Sequence, residues 1–267
     1  MTDADSADLI ATAHALADAA RIQTLEHFRG RGLSVDNKHD GGFDPVTEGD
    51  RAAERAMRAI LAERRPQDGI LGEEFADKPS ESGFTWVLDP IDGTRAFMSG
   101  APTWGVLIAV SDDSGPQYGI IDQPHIGERF EGGLGRAQLQ GPRGDAPLQT
   151  RDTADLADAV LFTTFPEIGT DAERISFQQV RDRVKLTRYG MDCYAYALVA
   201  LGQVDLVVEA GLHPYDIQAP IAVIEAAGGI VTDWQGGPVH MGGRVLAAAN
   251  PAIHAAALDI LRRAPQD

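Results

Sequence analysis

The chain has 267 residues, 43% hydrophobic and 24% charged, a globular composition with room for one large domain or two smaller ones. A formal net charge of −17 argues against a nucleic-acid backbone or an anionic membrane surface as partner, so an anionic substrate must be met by local positive charge. The single cysteine, Cys193, excludes an intrachain disulfide and a thiolate zinc cluster; the acidic start and the lack of a membrane-length apolar run predict a soluble cytoplasmic protein.

Leu9, Ala13, Leu16 and Ala20 recur at helical spacing and predict a first helix, prolonged by Leu25 and Phe28 and stopped at Gly30. His14 and His27 read as solvent-facing. Residues 38–45 are Gly-rich and charged and predict a mobile loop. Thr47 with Asp50 has the pattern of a capping box, opening a helix whose inner stripe is Ala53, Met57, Ile60 and Leu61; capping is the favoured role for Asp50 at this point. Residues 69–72 form a short apolar strand ending in Glu73-Glu74. If the next strand runs parallel, Glu73 and Asp89 meet at one sheet edge.

Residues 86–97, Trp-Val-Leu-Asp-Pro-Ile-Asp-Gly-Thr-Arg-Ala-Phe, organise the rest. Trp86, Val87 and Leu88 predict a buried strand that stops at Asp89, because Pro90 has no N–H for the ladder. Asp92-Gly93 predicts a turn, and Thr94 opens a short helix closing near Gly100. Two carboxylates thus face a helix N-terminus, itself an anion site, and a divalent metal bridging Asp89 and Asp92 to a phosphate reconciles the charges. A turn at Asp89-Pro90 with Asp92 as a cap is the alternative.

Strands are predicted over 104–110, 118–122 and 129–132, and the Gly- and Pro-rich run 141–149 reads as a subdomain connection. Strands and helices then alternate: strand 160–163, helix 171–183, strand 184–187, helix 193–201, strand 204–208 ended by Glu209, helix 217–227, strands 230–232 and 245–249, helix 253–262. Asp216 stands at a helix start after Pro214, an N-cap position, with Pro220 expected in the first turn. Cys193 reads as a small buried helix residue.

Three motifs, Gly72-Glu73-Glu74, Asp89-Pro90-Ile91-Asp92-Gly93-Thr94 and Tyr215-Asp216-Ile217, resemble those of the inositol monophosphatase superfamily in order and spacing, over nearly the whole chain. The resemblance implies an α+β fold, a layered αβαβα sandwich. Residues 1–145 would form an N-terminal subdomain carrying most metal ligands, and 146–267 an α/β subdomain completing the site. It implies magnesium-dependent phosphomonoesterase activity with two or three Mg²⁺ ions. Glu73, Asp89 and the Ile91 carbonyl would hold one ion, and Asp89, Asp92 and Asp216 a second. Gly93 and Thr94 would offer N–H groups to phosphate, Asp50 would support the Thr94 hydroxyl, and Lys38 with Asp44 would sit on the mobile loop over the site. A homodimer is implied by family analogy.

Arg95-Ala96-Phe97 and Tyr215 depart from the inositol type and, with Gly190-Met191-Asp192-Cys193-Tyr194, resemble the histidinol-phosphatase branch, which acts on L-histidinol phosphate in histidine synthesis. Asp192 and Glu209 would attract the substrate's ammonium. Asp192 stands where the inositol type has a small residue, with a helix N-cap before Cys193 as its alternative role, whereas Glu209 would equally suit inositol hydroxyls. Arg95 is a candidate substrate contact or a partner for a nearby carboxylate. The expected reaction is in-line displacement by metal-activated water without a phosphoenzyme, with Thr94 and Asp50, or Glu73, taking the proton. The alternatives are an inositol, sugar or nucleotide phosphatase on the same scaffold, and a non-catalytic metal-binding regulatory protein.

Overall fold

The computed structural model describes residues 2–30, 35–37 and 45–263; Lys38 and Asp44 lie outside them. The N-terminal half begins with α1 (Asp3–His27), β1 (Val35–Asn37), β2 (Pro45–Thr47) and α2 (Glu48–Arg64). It continues with β3 (Gly69–Gly72), β4 (Thr85–Asp92), α3 (Thr94–Ser99), β5 (Gly105–Asp112), β6 (Gly115–Gln123), β7 (Glu128–Gly133), β8 (Arg136–Gln140) and β9 (Ala146–Pro147). The second half carries a 3₁₀ turn (Leu156–Asp158), β10 (Val160–Thr163), α4 (Asp171–Arg181), β11 (Leu186–Tyr189) and α5 (Cys193–Ala200). There follow β12 (Leu206–Leu212), α6 (Pro214–Ala226), β13 (Ile230–Thr232), β14 (Gly243–Ala248) and α7 (Pro251–Leu261).

Strands β3 to β9 form a seven-stranded sheet in chain order, and the remaining strands a five-stranded sheet of order β11-β10-β12-β14-β13, with β1 and β2 paired apart. Side chains alternate across each sheet, and the alternation sorts them into layers. Trp86 and Leu88 pack with Val106 and Ile108 against Leu9, Ala13 and Leu16 of α1 and Met57 of α2. Val87, Leu107 and Ile121 point the other way, into a core shared with α5, α6 and Val207 and Val245 of the second sheet. Leu206, Val208 and Leu246 cover that sheet's far face against Phe177 of α4 and Leu258 of α7. The order is αβαβα, the expected sandwich. The seven-stranded sheet takes in β9, just past residue 145, within the run read as a connection.

Several local expectations need correction. Strand β4 does not stop at Asp89 but runs to Asp92 through a bulge, since Asp89 pairs with Leu107 and Asp92 with Gly105. Pro90 is tolerated there because a bulge residue needs no ladder bond. Strand β12 runs past Glu209 to Leu212 through a similar bulge. Helix α6 starts at Pro214, earlier than expected, so Pro220 lies inside the helix rather than in its first turn. Leu25 is exposed because it falls beside the stripe that continues through Thr24. His14 is half-buried: its Nε2 lies 3.1 Å from Glu131 Oε2, and Arg129 donates toward Nδ1 at 3.1 Å. Among the described residues no helix is long and apolar enough to cross a membrane.

Candidate active site

The bulge in β4 is what lets Asp89 and Asp92 act together. In a regular strand, residues three apart point to opposite faces, and one inserted residue restores them to one side. Parallel pairing of β3 with β4, Gly72 opposite Leu88, brings Glu73 alongside Asp89 as the sequence suggested. Asp216 arrives from the first turn of α6. Asp89, Asp92 and Asp216 offer oxygens within 4.8 Å of one another.

Each of these carboxylates commits one oxygen to a backbone amide. Asp89 accepts from Ile91 N–H at 3.0 Å, Asp92 from Cys193 N–H at 2.6 Å, and Asp216 from His213 N–H at 2.6 Å. Capping and metal binding are therefore not rivals for Asp216, since the cap uses one oxygen and the other is available. Burial, then the charges of Glu73, Asp92 and Asp216, hold Asp89 well above the usual carboxylate range. Burial, then Asp192 and Asp216, do the same to Asp92. Burial pushes Asp216 up to about 7, against the His213 amide bond and with the Glu73 charge adding to it. Such crowded acids ionise together only beside a cation. An all-oxygen donor set of this kind fits a hard divalent ion.

Asp50 forms the expected capping box: Thr47 donates to its Oδ2 from the amide at 2.8 Å and from the hydroxyl at 2.5 Å. Its Oδ1 is buried without a hydrogen-bond partner among the described residues. Burial, with the Glu73 charge opposing the Thr47 bonds, raises Asp50 to about 6. The Thr94 hydroxyl donates to the Ile91 carbonyl at 3.2 Å, so this bond is directed at Ile91 and not at Asp50.

Beside the acids opens a cavity of about 310 Å³ lined by Gly93, Thr94, Arg95, Asp192, Tyr196 and Glu209, among others. Asp192 precedes α5, yet it does not cap it: its φ is +48° and no side-chain cap bond forms. Thr103 instead donates to Asp192 Oδ2 at 3.0 Å, and Asp92 takes the first helical amide. Gly93, at φ +83°, is required here, since a Cβ would stand 2.7 Å from the Asp192 carboxyl carbon. Burial raises Asp192, while the Thr103 bond and the Arg95 charge pull it down. Arg95 lies over the Phe165 ring, 5.0 Å from its centre. Glu209 accepts from Thr164 N–H at 2.6 Å, and burial brings it to about 7. Cys193 is buried and its thiol is raised well above its ordinary value by burial and the Asp92 charge, unlike a nucleophile.

Phe165 and Tyr196, which line the cavity, and Thr103, which holds Asp192, carried no signal in the sequence, because loop and helix positions come together there only through tertiary packing. Glu54 did carry one. It lies on the apolar stripe of α2 with Met57 and Leu61, where a charged residue needs a reason.

A model of the inositol monophosphatase family matches residues 5–266. The chain is 41% identical to the chloroplastic bifunctional phosphatase IMPL2 of Arabidopsis thaliana, over 98% of this chain and 77% of that protein. It is 36% identical to a histidinol-phosphatase of Chlorobaculum parvum, over 89% of this chain and 90% of that one. Among solved structures, an inositol monophosphatase from Zymomonas mobilis superposes with a TM-score of 0.84 and 41% identity, covering 96% of this chain and 98% of that one. Fold, acid cluster and sequence agree, and the chain belongs to the inositol monophosphatase family, a family of phosphatases.

Proposed function

We propose that this protein is a magnesium-dependent histidinol-phosphatase, hydrolysing L-histidinol phosphate to L-histidinol and phosphate in the cytoplasm, as a homodimer by family analogy. The observation that carries the substrate reading is Asp192. Its carboxylate lines the cavity beside Gly93, freed from helix capping, and is held by Thr103. An ammonium on the substrate would find Asp192 and Glu209 there, beyond the acids reserved for metal. The similarity to a histidinol-phosphatase over most of both chains supports the same reading.

Glu73, Asp89 and the Ile91 carbonyl would hold one Mg²⁺, and Asp89, Asp92 and Asp216 a second. When bound, Mg²⁺ supplies Lewis-acid activation of water and neutralises charge on the phosphate and leaving group. The amides of Gly93 and Thr94 orient the phosphate. The Thr94 hydroxyl donates to the Ile91 carbonyl, which leaves its lone pairs free to accept a hydrogen bond that orients the attacking water. Asp50, with one oxygen unpartnered and its carboxyl raised to about 6, would accept the proton that the water loses, near neutral pH. Glu73 is the alternative acceptor. Arg95, stacked on Phe165 at the cavity mouth, guides the anionic end inward.

A second reading, an inositol monophosphatase, is favoured by Glu209, which would bind sugar hydroxyls as well as an ammonium, and by the Zymomonas similarity. Asp192→Ala separates the two. Loss of a charge-assisted bond should lower kcat/KM for L-histidinol phosphate about tenfold or more, with a much smaller effect on inositol 1-phosphate. Equal losses on both substrates would remove the cation pocket from the account.

A further inference from the structure

Tyr196 lies on α5 and lines the same cavity, yet none of the roles above uses it. Its side chain is buried, 4% exposed, and its hydroxyl has no hydrogen-bond partner among the described residues. A buried phenol left unpaired costs the fold the desolvation of that hydroxyl, with nothing in the protein returning it. The cavity around it is rich in acceptors: Asp92, Asp192, Glu209 and Asp216 all line it. Of these, Asp192 and Glu209 lie beyond the acids assigned to metal and can satisfy donors on a ligand, an ammonium or a ring N–H. A ligand's acceptor atom needs a donor, and a phenol supplies one without adding charge. Burial and the Glu209 charge hold the Tyr196 hydroxyl protonated, so it remains a donor throughout the working pH range.

We propose that Tyr196 is a specificity-determining residue whose hydroxyl donates to an acceptor nitrogen on the heteroaromatic end of the substrate, away from the phosphate. This rests on the histidinol-phosphate reading, and it adds an uncharged donor to a cavity rich in acceptors. A neutral imidazole has one N–H and one bare nitrogen. With Asp192 left to the ammonium, Glu209 and Tyr196 together match that pair, whereas a ring of hydroxyls, each both donor and acceptor, gains less from the distinction.

The test uses the full-length Tyr196→Phe protein. In thermal unfolding without ligand, it should be at least as stable as the parent, because the hydroxyl has no protein partner to lose and its desolvation cost is removed. A fall of several degrees would assign the hydroxyl a structural bond and overturn the proposal. In calorimetric titration with L-histidinol, binding should weaken about five- to tenfold, the worth of one hydrogen bond, while inhibition by inorganic phosphate changes less than about twofold. KM for L-histidinol phosphate should rise by a similar factor. If the parent protein prefers L-histidinol phosphate but Tyr196→Phe binds L-histidinol as tightly, this inference alone fails. If the parent protein prefers inositol 1-phosphate, the substrate reading fails and takes the inference with it.

Discussion

The amide of Glu74 donates to Glu54 Oε2 at 2.8 Å, tying the end of β3 to the middle of α2. Arg58 completes the tie, donating to Glu54 Oε1 at 2.8 Å and to the Phe75 carbonyl at 3.0 Å. The strand and the helix approach so closely that a Cβ on Gly72 would lie 2.1 Å from Glu54 Oε1. Glu73 sits between these anchors, so its position at the acid cluster is set by a carboxylate that never reaches the cluster itself. Replacing Glu54 with Gln keeps an acceptor for Glu74 but turns amide hydrogens toward Arg58. We expect a loss of about 1–3 kcal/mol in chemical denaturation and a higher Mg²⁺ concentration for half-maximal activity. Lost stability with an unchanged Mg²⁺ requirement would confine Glu54 to folding.

Asp89 stands at the centre of the acid cluster, and its substitution should separate function from folding. Asp89→Asn should lower turnover about a thousandfold or more, since the residue would contact both ions. The metal-free protein should hold or gain stability, because one of several repelling carboxylates is gone. Phosphate release and thermal unfolding measured on the same preparation check both halves. Near-parental activity would refute the assignment.

The raised acids link pH to stability. Asp50 at about 6, and Glu209 and Asp216 at about 7, bind protons more tightly folded than unfolded, where a carboxyl titrates near 4. The resulting stabilisation is fully present below about pH 4 and is lost as pH rises through about 7. In chelator, the unfolding temperature should therefore fall between pH 5.5 and pH 8. With saturating Mg²⁺ that fall should shrink or vanish, as the ion replaces protons at Asp216 and its neighbours. A pH slope of the same size with and without Mg²⁺ would contradict metal binding at these acids.

Much of this was legible in the sequence, and particular residues show why. The run Trp86, Val87, Leu88 announced a buried strand, and Glu73 was expected beside Asp89 on the condition that the two strands run parallel, which β3 and β4 do. The β4 bulge was not legible: Pro90 signals a stop and a bulge equally well, and only pairing with β5 decides between them. The start of α6 was misjudged for a similar reason, since Pro220 inside a helix contradicts propensity and is accepted only because packing of α6 between the two sheets outweighs it. His14 read as exposed because its partners Arg129 and Glu131 lie more than a hundred residues away. Asp192 was legible as an unusual carboxylate, but its freedom from capping depends on Asp92, a bond across 101 positions.

The most direct measurement is phosphate release from L-histidinol phosphate beside inositol 1-phosphate, each with Mg²⁺ and with chelator. The account predicts a strong preference for L-histidinol phosphate, abolished by chelator and restored by Mg²⁺. A preference for inositol 1-phosphate would contradict the cation pocket at Asp192 and Glu209, and turnover that survives chelator would contradict the role given to Asp89, Asp92 and Asp216.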